Sequence, residues 1–341
     1  MLKLGELGFI FFLVSILLFG CKKDPDLLKD INLPYFLKVP DPFPFPTIPE
    51  DNPLTVEKVA LGKLLFFDPI LSKDSTISCA SCHVPSLGFS DFTAVSKGVF
   101  DSLGFRNAMP LTNVAYTNTF FWDGGVPTLE LQAIAPIVSP FEMQETIENV
   151  LLKLNRHPEY PNRFKKVFGK AADQSSLIQA IASFERTIIS FNSKFDQQHY
   201  FAKNTLSDAE LRGKDLFFSE KLSCANCHSL PNFTNHGFAN NGLYNNYNDM
   251  GRRRVTVRFS DDAMFRIPTL RNVERSAPYM HDGSISTLQE VIEHYNSGGS
   301  THFNKSPLIK PLNLSNQEKK DLLAFLKSLT DEEFLNNPEF K

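Results

Sequence analysis

Tryptophan occurs once in these 341 residues, cysteine five times, and neither sign of charge is in excess, the net charge being −3 with His neutral. The balanced charge excludes a basic field for nucleic acid. With Cys21 set aside, the other four cysteines fall in two Cys-x-x-Cys-His pentapeptides, so none is left over for a structural disulfide. Strand patterning is sparse, which points toward a mainly α fold. Phenylalanine, by contrast, occurs 32 times, enough for aromatic cores or for the large apolar walls of a cofactor pocket.

The two pentapeptides are Cys79-Ala80-Ser81-Cys82-His83 and Cys224-Ala225-Asn226-Cys227-His228. Cys-x-x-Cys-His is the attachment signature of c-type haem: both thiols bond to the porphyrin vinyl groups and the adjacent His ligates iron. The blander readings are a local disulfide or half of a zinc site. Zinc requires four ligands in compact spacing, whereas these pairs lie far apart and each carries its own His. Two copies imply two haems, and the length suffices for two domains with a core each.

Lys3 precedes an apolar run from Phe9 to Phe19, too short for a comfortable membrane span, that ends Leu18-Phe19-Gly20-Cys21. This reads as a lipoprotein signal peptide over 1–20 with Cys21 as the lipidated first mature residue, although Glu6 is atypical for such a leader. Export agrees with where c-type haem is attached. Residues 21–53 are rich in Pro and Asp, densest at Asp41-Pro42-Phe43-Pro44-Phe45-Pro46, and are expected to form an extended tether whose Phe side chains are candidates to dock on the body.

The first helix is expected over 55–67, where Val56, Val59, Ala60, Leu64 and Phe67 recur at helical spacing. It carries Gly62-Lys63-Leu64-Leu65-Phe66-Phe67, which returns as Gly213-Lys214-Asp215-Leu216-Phe217-Phe218, each copy shortly before a haem motif. The repetition argues for a duplicated haem domain, divided as 54–205 and 206–341. An amphipathic helix with Leu177, Ile181, Phe184 and Ile188 closes the first copy. Ser207 with Glu210, Thr287 with Glu290 and Ser315 with Glu318 are capping boxes opening later helices. In the second of these Val291 and Tyr295 share a face, and Gly298-Gly299 stops it; the third buries Leu322, Leu326 and Leu329.

Between and after the haem motifs stand Arg106-Asn107-Ala108-Met109-Pro110, Phe121-Trp122-Asp123-Gly124, Gln132-Ala133, Pro140-Phe141-Glu142-Met143 and Ala277-Pro278-Tyr279-Met280-His281-Asp282-Gly283. In this order, from about Thr55 to Leu329, the chain resembles the bacterial diheme cytochrome c peroxidase family, including its methylamine-utilisation (MauG) branch. The resemblance implies two cytochrome c-like domains with long loops, the first haem reducing hydrogen peroxide and the second passing it electrons. His83 and His228 match the proximal ligands. Glu142 matches the distal carboxylate, which as base and then acid moves the proton needed to split the O–O bond. Gln132 and Pro136 match its neighbours, and Trp122 matches the aromatic residue between the haems. Asn107, with the carbonyls of Ser276 and Pro278, matches a calcium site, and oxygen donors suit that ion.

The chain departs from the family's peroxidases at two positions. Where many carry a His that ligates the first haem at rest, this sequence has Val99, so the first haem is expected to be open without prior reduction. Where they carry Met on the second haem, the matching residue is Tyr295, as in the MauG branch; a phenolate is a hard anionic donor expected to lower the potential. The competing ligand is Met280. His281 is read as a neighbour of that site, His294 as exposed beside Glu290, and His157, His199, His236 and His302 as ordinary polar residues. The expected function is that of an exported diheme peroxidase drawing electrons from a small cytochrome c or copper protein. The alternatives are oxidation of a protein or bulky substrate by two oxidising equivalents held across the haems, and, last, a non-catalytic electron carrier or sensor. A periplasmic or outer-membrane lipoprotein of a Gram-negative bacterium, including a homodimeric form, fits this reading.

Overall fold

The computed structural model describes residues 32–340; the apolar run and the expected lipidation site Cys21 lie outside them. The chain is mainly α-helical, with α1 (Val56–Phe67), α2 (Cys79–Cys82), α3 (Leu129–Gln132), α4 (Ile134–Val138), α5 (Ile147–Arg156), α6 (Tyr160–Phe168), α7 (Gln174–Glu185), α8 (Lys194–His199), α9 (Asp208–Phe217), α10 (Cys224–Cys227), α11 (Arg253–Thr256), α12 (Leu288–Ser297), α13 (Asn316–Lys327) and α14 (Glu332–Leu335). β1 (Phe238–Ala239) and β2 (Phe265–Arg266) form a short antiparallel pair, Phe238 facing Arg266. Long loops make up most of the remainder. Among the described residues no helix is long and apolar enough to cross a membrane.

Local chemistry explains where the main helices begin and end. Thr55 caps α1 by accepting from the Lys58 amide, and the capping boxes at Ser207, Thr287 and Ser315 open α9, α12 and α13, each satisfying amides that have no partner within the helix. Gly298, at φ +81°, ends α12 in the left-handed region where a Cβ is costly. Two expected helices are shorter than their apolar patterns. Ile188 and Leu329 are fully buried but lie past the ends of α7 and α13. There the chain tightens into i→i+3 bonds, with Ile188 N–H donating to Glu185 O and Leu329 N–H to Leu326 O.

The sequence repeat has a structural cause. Helix α1 crosses α7, and α9 crosses α13, with backbones touching at the glycines. A Cβ on Gly62 would lie 1.8 Å from the Ala180 carbonyl oxygen, and one on Gly213 would lie 1.9 Å from that of Asp321. Phe66 meets Phe184 at 5.1 Å in the first lobe, and Phe217 meets Phe325 at 5.1 Å in the second. Each crossing is buried in its own apolar core. The first centres on Leu61, Leu65, Leu177 and Ile181, and the second on Phe217, Phe233, Leu322 and Phe325.

Residues 32–53, part of the expected tether, have no helix but are laid along the body. Tyr35 N–H donates to Leu54 O, Leu37 packs with Leu54 and Val59, and Phe43 stacks on Phe191 at 3.9 Å. Phe36 and Phe45 face outward. Enough apolar side chains recur in this segment to bury one edge of it, although its prolines forbid a helix.

Candidate functional site

Each haem motif forms one helical turn, α2 or α10, with its His as the C-terminal cap. His83 Nδ1 bonds the Phe89 carbonyl at 2.9 Å, and His228 Nδ1 bonds that of Phe233 at 2.9 Å. A carbonyl only accepts, so both rings carry the proton on Nδ1 and leave Nε2 free to ligate. Phe89 and Phe233 both adopt positive φ, 58° and 52°, which turns their carbonyls onto the rings. Burial lowers both imidazole pKa values and favours the neutral, ligating form. Burial also pushes the thiols up, Cys82 to about 11 and Cys224 to about 12. Among the described residues no three His, Cys, Asp or Glu side chains converge on a metal position, and the four thiols are unpaired. The residues of each motif, two thiols and an imidazole with Nε2 free on one helical turn, fit covalent haem.

The first motif opens onto a cavity of about 490 Å³ lined by Cys79, Cys82, His83, Gln132, Pro136, Glu142 and Trp122. Thus the expected distal residues share one space with the first haem motif. The Gln132 Oε1 is buried without a partner. Burial raises the Glu142 pKa, opposed by a hydrogen bond from Ser139. The Glu142 loop is pinned by its neighbours: Val99 N–H donates to Glu142 O at 2.9 Å, and a Cβ on Gly98 would lie 2.2 Å from Phe141 O. Val99 is buried beneath this loop and does not line the cavity.

The second motif opens onto a cavity of about 240 Å³ with Tyr295, Met280, Asn107, Ser276 and Pro278 in its walls. Pro136 and Tyr295 occupy corresponding positions: each lies eight residues after a Thr, Thr128 or Thr287, that caps a helix at the cavity wall. The sequence position that carries a phenol on α12 in the second cavity therefore carries, on α4 in the first, a ring without donor atoms. Burial pushes the Tyr295 hydroxyl up to about 12, partly offset by Asn241. The Asn241 amide also reaches Met280 Sδ at 3.2 Å, so both ligand candidates stand in this cavity. His281 is buried and stacks on Phe265 at 3.7 Å. His294 is half-buried, not exposed, because its Nε2 meets the Asn241 carbonyl at 3.1 Å.

Trp122 lines both cavities and is buried, its Nε1–H donating to Asn107 O at 2.9 Å. The Asn107 amide donates to the carbonyls of Thr93 and Ala94, which leaves Oδ1 available as an acceptor. Two first-cavity residues, Glu185 and Arg266, escaped the sequence reading, and a third, His236, taken there for an ordinary polar residue, lines the same cavity. Glu185 is buried with one unpartnered oxygen, and desolvation pushes its carboxyl up to about 8. His236 has a buried, unpartnered Nδ1, and Arg266 an unpartnered Nε. None sits in a local pattern; the repeat could have flagged Glu185, because alignment of Gly62–Phe184 with Gly213–Phe325 sets it opposite Leu326.

Two cavities, each built around Cys-x-x-Cys-His and separated by a shared tryptophan, define a two-lobed c-type haem protein. A family pattern described as di-haem cytochrome c peroxidase matches residues 56–204, and one described as cytochrome c matches 210–330. The chain is 37% identical to cytochrome-c peroxidase IdrP1 of Pseudomonas sp., covering 85% of each chain. It is 38% identical to methylamine utilization protein MauG of Methylorubrum extorquens, covering 83% of this chain and 81% of that one. The crystal structure of a MauG-like protein associated with microbial copper homeostasis superposes with a TM-score of 0.85 at 34% identity, covering 90% of this chain and 99% of that one. The chain belongs to the di-haem cytochrome c peroxidase family. Two c-type haems and a peroxidase-class oxidoreductase activity come with that membership.

Proposed function

We propose that hydrogen peroxide is reduced in the first cavity, with Glu142 as the proton-moving group and Gln132 as a hydrogen-bond partner for the bound peroxide. The first haem supplies the iron at which this occurs. The observation that carries the reading is the asymmetry between the cavities: Gln132, Pro136 and Glu142 face the first haem motif, whereas Tyr295 and Met280 face the second. Glu142 takes a proton at its carboxylate and returns it to the departing oxygen, and its raised pKa suits both directions. Trp122 carries electrons between the lobes, from a small cytochrome c or copper protein that reduces the second. In Glu142→Gln, steady-state turnover with peroxide should drop roughly a hundredfold or more; turnover at the wild-type rate removes the role.

A second reading, oxidation of a protein or bulky substrate, is favoured by Tyr295 and by Val99 standing outside the first cavity. A Tyr295 ligand stabilises the oxidised second haem and makes it a store of oxidising power. In Tyr295→Phe the ferric absorption and EPR spectra of the second haem should change while Met280→Leu leaves them unaltered, and the reverse pattern makes Met280 the ligand. Calcium held by Asn107 Oδ1 and the carbonyls of Ser276 and Pro278 would brace the wall near Trp122, and metal analysis of the holoprotein tests it. Export and anchoring through a lipid on Cys21 complete the proposal; membrane fractionation of Cys21→Ser tests them.

A further inference from the structure

Buried charges are costly unless paired, and three of the chain's sequestered arginines follow that rule. Arg271 holds Asp196 with bonds of 2.8 and 3.0 Å, Arg186 holds Glu130, and Arg106 holds Asp123 and Asp249. Arg266 breaks it. Its side chain is 8% exposed as a residue average, and among the described residues no carboxylate lies within ion-pair distance. Its Nη2 donates to Thr117 Oγ1 at 2.8 Å and its Nη1 to the Thr119 carbonyl, while Nε–H has no acceptor. Desolvation without an offsetting anion lowers its pKa to about 10.

The surroundings of Arg266 belong chiefly to the first cavity. Arg266 lines both cavities, but His236, Thr117 and Thr234 line only the first. His236 stands close enough for the Arg266 charge to lower its pKa further than burial alone does, and its Nδ1 is buried without a partner. A guanidinium N–H and an imidazole nitrogen therefore go unsatisfied in the first cavity, the former on a residue that also lines the second. The thiols of Cys79 and Cys82 belong to the same cavity. A c-type haem is bipolar in the same sense: its thioether edge is fixed by two cysteines, and its two propionate carboxylates leave from the opposite edge.

We propose that Arg266, assisted by His236, anchors a propionate carboxylate of the first haem. The anchor sets the haem's in-plane orientation, with its charged edge toward the wall that holds Trp122. Because Arg266 N–H also donates to Trp122 O at 2.8 Å, the same residue links that edge to the side chain between the lobes. A fixed positive charge there disfavours the ferric state, which carries one more positive charge than the ferrous, and it keeps the propionate ionised across the neutral range. Arg266 is thus a positioning residue for the cofactor, offering the carboxylate a charged N–H donor at Nε, the one guanidinium nitrogen left without an acceptor.

Spectroelectrochemical titration of the holoprotein, with resonance Raman of the propionate bending modes, tests this. In Arg266→Gln the first haem should become easier to oxidise, the ferric-to-ferrous ratio at fixed applied potential rising roughly tenfold or more. Its potential should also become pH-dependent near neutrality as the propionate gains a titrating proton, and its propionate band should shift. Arg266→Lys should hold the potential near wild type yet still move the band, because charge is kept and the Nε–H donor is lost. Changes confined to the second haem, or an unaltered potential and band at the first, would overturn the assignment. Should Arg266→Gln yield no folded protein, Arg266→Lys and His236→Phe decide: an unmoved propionate band in both is the overturning result.

Discussion

Glu185 is the side chain whose chemistry is most at odds with its surroundings. It occupies a wall position that the second lobe fills with Leu326, and burial pushes its carboxyl from the ordinary carboxylate range up to about 8, with Glu130 adding to the shift and Arg186 opposing it. A carboxyl whose folded pKa is raised is stabilising while protonated, so its contribution is complete below the unfolded value, near 4.5. That contribution is lost as pH rises toward 8, at about 1.4 kcal/mol per unit of pH for a single group. The unfolding free energy of the holoprotein should therefore fall between those limits, by on the order of a few kcal/mol. Glu185→Gln should flatten that dependence in a chemical-denaturation series against pH; the same slope in the variant would assign it to other groups.

Between residue and domain, the crossing helix pairs α1 with α7 and α9 with α13 carry the fold. The repeated glycines are there because the partner helix's carbonyl oxygen occupies the space a Cβ would need. In Gly213→Ala, overpacking costs about 1–3 kcal/mol, toward the upper end because the obstacle is the Asp321 backbone and not a mobile side chain. The gain in helix propensity, roughly 1 kcal/mol, does not offset it. A lowered melting temperature with weakened far-UV signal from the second lobe is the expected result. An unchanged melting temperature would mean the helices separate at little cost.

Across the whole molecule, the proposed electron route runs through the wall between the lobes. Trp122 stands in it, fastened through Nε1–H to Asn107 O, and Asn107 N–H in turn donates to His281 O at 2.8 Å. Arg106 crosses the same region to bind Asp123 and Asp249. Trp122→Phe should slow electron passage from the second haem to the first in stopped-flow absorption after peroxide addition, with peroxide binding at the first haem unaltered. It should also cost about 0.5–1.5 kcal/mol, from a lost hydrogen bond. Equal inter-haem rates in the two proteins would remove Trp122 from the route.

Haem attachment was legible in the sequence because its determinants are local: two thiols and an imidazole within five residues, set by covalent bonds and one helical turn. The capped helices and the duplicated Gly-Lys-x-Leu-Phe-Phe were legible for the same reason, since caps and helix faces are functions of neighbouring residues. The settings of Glu185, His236 and Arg266 were not legible. Each is an ordinary polar residue in its own segment, and its meaning arises only when helices and loops distant in sequence close around it and remove its water. Even the motif-bearing Glu142 and Tyr295 acquired distinct settings only in three dimensions, where corresponding positions carry Pro136 in one lobe and a phenol in the other. Covalent and hydrogen-bond chemistry between near neighbours is written residue by residue, whereas desolvation and unpaired charge belong to the packed molecule alone.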